Sequence, residues 1–174
     1  GSLNTLLGIE EIREAVNRGL RNDQYQFSQK RLGVDVARYG DDRTVIFPRQ
    51  GLRAFKHVEM RNANSQEIAS RVAMSKNKWG SDNEFIDGTG GYGAGVADFL
   101  KASGHNPFEI NFGSRADDER YQNKRAEMWF RMANWIRSGG SIPEGSDELV
   151  KELSAPSDSF TQKGKFLLDA KVNI

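Results

Sequence analysis

The chain has 174 residues, 37% of them hydrophobic and 28% charged, and 25 Lys and Arg against 24 Asp and Glu give a formal net charge of +1. That composition suits one globular domain with a real core and excludes a wholesale basic nucleic-acid binder, so any DNA contact has to come from a local basic face. The absence of Cys excludes disulfides, thiolate metal sites and Cys nucleophiles, and no apolar run approaches the roughly 18 residues that a membrane span needs.

Ile9, Ile12, Val16 and Leu20 recur at three- and four-residue spacing, which predicts an amphipathic helix over 9–20. Residues 21–30 are polar, so 1–30 read as an N-terminal helix and connector ahead of a main domain over 31–174. The period then changes to two. RLGVDVARYG puts Leu32, Val34 and Val36 on one face and Gly33, Asp35 and Ala37 on the other. The turn cluster Gly40-Asp41-Asp42 leads into RTVIFPR, a hairpin partner, and LRAFKHVEM after Gly51 reads as a third antiparallel strand.

A helix follows over about 65–78, with Asn64 and Glu67 spaced as in a capping box. NEFIDGTGGYG is a strand running into a glycine-rich turn, GVADFLKASG a helix ended by Gly104, and 107–113 a fifth strand. A longer helix is expected over about 118–138, with Met128, Met132 and Trp135 facing the core. Beyond it come a short helix, DELVKEL, and a final strand, GKFLLDA. Three antiparallel strands followed by alternating helix and strand imply an α/β fold, a mixed sheet with helices on both faces. That is the element order of the ribonuclease-H-like fold.

Asp35 interrupts the first strand and Asp87 ends the fourth. A carboxylate inside a sheet strand is costly to bury unless it is paired or bound to metal. If those two strands are neighbours, both carboxylates can converge on one Mg2+ or Mn2+, ions that favour hard oxygen ligands. The bland alternative is that Asp35 pairs with a nearby Arg or faces solvent on an edge strand. GTGGYGAG lacks the Gly-Lys-Ser/Thr ending of a Walker loop. Its glycines suit either a tight strand-to-helix turn or close approach to a nucleic-acid phosphate. Asp41 and Asp42 read as turn residues, and His57 and His105 as ordinary side chains without triad or zinc partners. Arg115, Arg120, Lys124, Arg125 and Arg131 form a basic stretch that Asp117, Asp118, Glu119 and Glu127 dilute.

LGVDVARYGDDRTVIFPRQG closely resembles the first motif of the nuclease domain in the large terminase subunits of tailed bacteriophages. FIDGTGGYGAGV resembles the second, and YQNKRAEMW followed by GGSIPE is similar to a further stretch of that family. The resemblance covers most of residues 8–172. It implies a metal-dependent endonuclease that cuts concatemeric double-stranded DNA with two Mg2+ or Mn2+ ions, working in the host cytoplasm at the procapsid portal. It also implies a terminase small subunit and a portal protein as partners, and an ATPase domain on the N-terminal side. No Walker loop occurs here, so the chain is expected to be a C-terminal portion. By position Asp35 matches the family's first metal-binding Asp and Asp87 the second. The third normally lies on a helix after the last strand, an element expected beyond Ile174, and Asp169 in the preceding strand is not its counterpart. Two other readings stand beside this one: a Holliday-junction-resolvase-like nuclease, and a non-catalytic module that docks on DNA or the portal.

Overall fold

The computed structural model describes residues 7–37, 43–88 and 91–147, together with Val150 and Leu153. The expected final strand and most of the DELVKEL helix lie outside these residues, as do Asp41 and Asp42. The sheet is built on β1 (Lys30–Asp35), which pairs antiparallel with β2 (Arg43–Gln50) from Lys30↔Gln50 to Asp35↔Val45.

The expected third strand is present but broken into β3 (Arg53–Ala54) and β4 (Val58–Arg61), both antiparallel to β2. Ala54 stands opposite Arg49 and Val58 opposite Ile46, so four steps on the third strand match three on β2. The extra residue makes a bulge, and Pro48 explains its position. The Pro48 carbonyl accepts from Phe55 N–H at 3.0 Å. A strand residue points its N–H and C=O toward the same neighbour, so the N–H that proline lacks would have faced this strand.

Helix α2 (Ser65–Trp79) starts with the expected box, in which Asn64 Oδ1 accepts from Glu67 N–H at 2.8 Å. It ends at Gly80, whose left-handed backbone (φ 77°) releases the chain into β5 (Asn83–Asp87). β5 returns parallel to β1, then α3 (Ala94–Ala102) leads to β6 (Phe108–Ile110), parallel to β5. Reading β3 and β4 as one edge, the order is third strand, β2, β1, β5, β6.

Strand alternation sorts the core into two layers. Leu32, Val34, Ile46 and Ile86 pack against Ile68 and Val72 of α2 and Val96 and Leu100 of α3. Val45, Phe47, Phe85 and Ile110 point the other way, onto Met128 of α4 (Lys124–Arg137). Helices therefore cover both faces. The outer side of α4 meets α1 (Ile9–Ala15) in a third cluster that joins Ile12 and Ala15 to Met132, Trp135 and Ile136. Met128, Met132 and Trp135 are all fully buried, as the helical spacing predicted.

Two helices are shorter than their periodicity suggests. α1 stops at Ala15 because Val16 leaves it to bridge Ile142 and Asn17 adopts a positive φ of 57°. α4 begins at Lys124, with Asn123 Oδ1 accepting from Ala126 N–H at 2.9 Å. The residues expected to extend it backward instead wrap around Glu127, whose carboxylate accepts from the backbone N–H groups of Asp117 and Asp118 and from Lys124 Nζ at 2.9 Å. Glu127 is wholly buried and Lys124 is 6% exposed, with a further bridge to Asp117. Burial pushes the Glu127 carboxyl up, but the Lys124 hydrogen bond, the two N–H donors and the Arg131 charge outweigh it. The net pKa lies below the ordinary 4.5.

Against the last residues of β5, Gly93 stands where nothing larger fits. A Cβ on it would come within 2.2 Å of the Asp87 carbonyl and 2.9 Å of Ile86 Cγ2. Gly93 thus lets α3 come down onto the last residue of β5, which no side chain at this position would allow.

Two stability effects follow. Gly93→Ala is expected to cost about 3 kcal/mol in urea unfolding, the scale of an overpacked core site, because the clash is with backbone. Glu127→Gln is expected to cost about 3 kcal/mol at pH 7 by leaving the buried Lys124 charge with the exposed Asp117 as its remaining carboxylate. A depressed carboxylate stabilises above its unfolded pKa and loses that contribution as pH falls through the folded value. Parent and variant unfolding free energies should therefore converge below pH 4.5, where the parent's Glu127 protonates.

Candidate active site

Asp35 is the last residue of β1 and Asp87 the last of β5. The parallel register between these strands runs from Arg31↔Asn83 to Val34↔Ile86, and one further step sets Asp35 opposite Asp87. Neighbouring strands lie about 4.8 Å apart, and both residues project to the α4 side, the face of Gly33 and Phe85. Asp35 is half-buried and Asp87 only 4% exposed. The structure thus brings together the two carboxylates that the sequence analysis singled out, at the C-terminal edge of parallel strands where open α/β sheets hold ligands.

The backbone around them is pinned from several directions. Ala37 N–H donates to Thr44 Oγ1 at 2.9 Å, fixing the chain just after Asp35. Gly88 N–H donates to Ile110 O at 2.8 Å, carrying the β5–β6 ladder past Asp87. Gly93 seats the N-terminus of α3 on the Asp87 carbonyl. Of the two roles open to GTGGYGAG, the tight turn has this direct support, although Thr89 and Gly90 lie outside the described residues.

Two carboxylates converging at one edge form a hard-oxygen donor set, which fits a divalent cation such as Mg2+ or Mn2+. A cation between them would also relieve the repulsion of two like charges at that spacing. No group of three or more His, Cys, Asp or Glu side chains able to hold a metal occurs among the described residues. Asp169 lies outside them. The histidines take ordinary roles: His57 Nε2 lies 3.1 Å from Glu59 Oε1, and His105 N–H caps the end of α3 on the Leu100 carbonyl.

The basic stretch of the sequence is largely neutralised within the chain. Arg120 grips Asp118 at 2.7 Å, Lys124 lies between Asp117 and Glu127, and Arg131 stands 3.8 Å from Glu127. The Arg120 guanidinium holds the Asp118 carboxyl below its usual range. Arg115 differs. It is exposed, has no carboxylate partner among the described residues, and lies in the loop that follows Ile110, the residue opposite Asp87. Composition cannot separate Arg115 from its neighbours; only the pairing pattern does. No helix of the described residues is long and apolar enough to cross a membrane.

No protein-family model matches the chain, and no curated protein does. Solved structures do match. The nuclease domain of the large terminase subunit gp2 of bacterial virus Sf6 superposes with a TM-score of 0.68 at 18% identity, over 86% of this chain and 80% of that one. A mutant of the same Sf6 domain with manganese gives 0.62 at 17% identity, over 92% and 77%. The large terminase nuclease of thermophilic phage G20c with bound magnesium gives 0.57 at 15% identity, over 85% and 79%. Such identities speak to architecture, and they agree with the strand order and the two helix layers: the chain has the ribonuclease-H-like fold of the nuclease domains of phage large terminase subunits.

Proposed function

We propose that this chain is the metal-dependent endonuclease domain of a viral DNA-packaging terminase, and that Asp35 and Asp87 hold its catalytic cation. The observation that carries the reading is the meeting of these two carboxylates at the C-terminal edge of β1 and β5. When bound, Mg2+ or Mn2+ would polarise a phosphodiester and lower the pKa of an attacking water. The chain's own residues supply the frame. Asp35 and Asp87 offer oxygen ligands from rigid strand ends, and the Ala37–Thr44 and Gly88–Ile110 hydrogen bonds fix their backbones. Arg115 reaches solvent from the same edge and suits a phosphate of the double-stranded substrate. The Mn2+ and Mg2+ bound to related domains support this cofactor class. The terminase small subunit, the portal, a preceding ATPase domain and action in the host cytoplasm belong to the same proposal, as does the division into an N-terminal helix and connector over 1–30 and a nuclease domain over 31–174. The paired strand ends favour the nuclease over a non-catalytic docking module.

Mn2+ titration by calorimetry tests the site directly. Asp35→Asn and Asp87→Asn are each expected to weaken binding at least tenfold while leaving the circular-dichroism spectrum unchanged, and Mn2+-dependent plasmid nicking should fall with them. Affinities equal to the parent's would remove both residues from the site. Arg115→Ala should leave Mn2+ affinity untouched but weaken binding to unrelated DNA duplexes, and flatten the dependence of that binding on salt by about one phosphate contact. Fluorescence anisotropy across a salt series measures this, and an unchanged slope would exclude a phosphate role for Arg115.

A further inference from the structure

The sheet face opposite Asp35 and Asp87 carries a concavity. Between α2 and the third strand lies a groove of about 430 Å³, floored by Leu32 and Ile46 and walled by Phe55, Met74 and Trp79. Its size falls within the range of sites that seat a ligand group or a large side chain. The walls are preformed. The Phe55 and Trp79 rings meet edge to face with centroids 5.4 Å apart, and Lys30 Nζ both donates to the Trp79 carbonyl and lies 5.8 Å from its ring centroid. Met74 by contrast is 53% exposed, an adaptable apolar side chain presented to solvent on a helix.

The charge around this groove is unlike that of the rest of the molecule. Most described cations elsewhere are tied to carboxylates: Arg13 to Glu10, Arg43 to Glu59, Lys76 to Glu84, Lys101 to Glu109, Arg137 to Glu11. Lys56, Arg71 and Lys78 line the groove and have no carboxylate partner among the described residues, and no Asp or Glu lines it. In a chain with a net charge of only +1, three cations without a carboxylate partner among the described residues thus ring one apolar floor.

We propose that this groove docks a short acidic segment of a partner protein, one that inserts a bulky apolar side chain between Met74 and Trp79 while its carboxylates meet Lys56, Arg71 and Lys78. An apolar, preformed floor favours a peptide anchor over duplex DNA, whose outward face offers phosphates and few apolar groups. Because Leu32 and Ile46 face away from Asp35 and Asp87, a segment held here leaves the strand-end site open. The inference stands independently of the nuclease reading.

The experiment pans a display library of random twelve-residue peptides on the full 174-residue chain, then measures synthetic copies of the enriched sequences by Trp fluorescence and anisotropy. Enriched peptides are expected to combine several Asp or Glu with Trp, Phe or Leu. Their affinity should drop at least tenfold in Lys56→Glu/Arg71→Glu and in Met74→Asp, both surface changes that should leave the thermal unfolding midpoint nearly unchanged. Affinity for a DNA duplex and Mn2+ binding should be the same in all three proteins. Failure to enrich any peptide, enrichment of acid-poor peptides, or binding indifferent to both variants would overturn the proposal. So would loss of duplex affinity in Lys56→Glu/Arg71→Glu, which would make the patch a nucleic-acid surface.

Discussion

The parallel pairing of β1 with β5 is the constraint on which the rest of the structure depends. Its register decides which residues of both strands share a face, and the period of two carries that choice through the sheet. A slip of one residue by β5 against β1 would turn Ile86 toward α4 and bury Phe85 under α2 and α3 while β1 kept its facing. It would also separate Asp35 from Asp87. The hydrophobic sorting that makes the slip unfavourable is therefore the same force that holds two carboxyl groups side by side at the strand ends.

A second group of contacts fixes α4 against that sheet. Glu127 gathers two backbone N–H groups, Lys124 and the Arg131 charge in a fully buried position, and thereby ties the loop after β6 to the first turn of α4. Because this loop also carries Arg115, the polar cluster positions the edge of the sheet as much as it stabilises the helix. Buried charge of this kind is a poor source of net stability, since desolvation offsets most of the attraction. Its value lies in defining one conformation for a stretch that contains little apolar residue content.

Much of this was legible from residue order. The alternation in RLGVDVA, the Asn64–Glu67 box and the heptad-like spacing of Met128, Met132 and Trp135 each specify a local structure whose physical basis is short-range, and each appears where expected. Asp35 and Asp87 stood out because a carboxylate among Val, Ile and Leu conflicts with its surroundings. What periodicity could not reveal were features set by distant partners. The early end of α1 depends on Ile142, the late start of α4 on loop N–H groups folding back to Glu127, and the break in the third strand on an N–H missing from Pro48. The basic stretch after β6 illustrates the same limit for charge: sequence counts cations, whereas only the folded chain shows which of them are already neutralised.

The break between β3 and β4 has a consequence for how this protein behaves in a crowd. An uninterrupted edge strand presents a row of unpaired backbone groups that another molecule can extend into intermolecular sheet. Here the outer edge consists of a two-residue piece already bridged by Ser141 and a four-residue piece displaced by a bulge, with Arg53, Lys56 and Arg61 along it. Neither piece is long enough to template a stable strand, and the bulge twists one out of line with the other. The proline that interrupts β2's outer ladder thus guards the sheet against edge-to-edge aggregation.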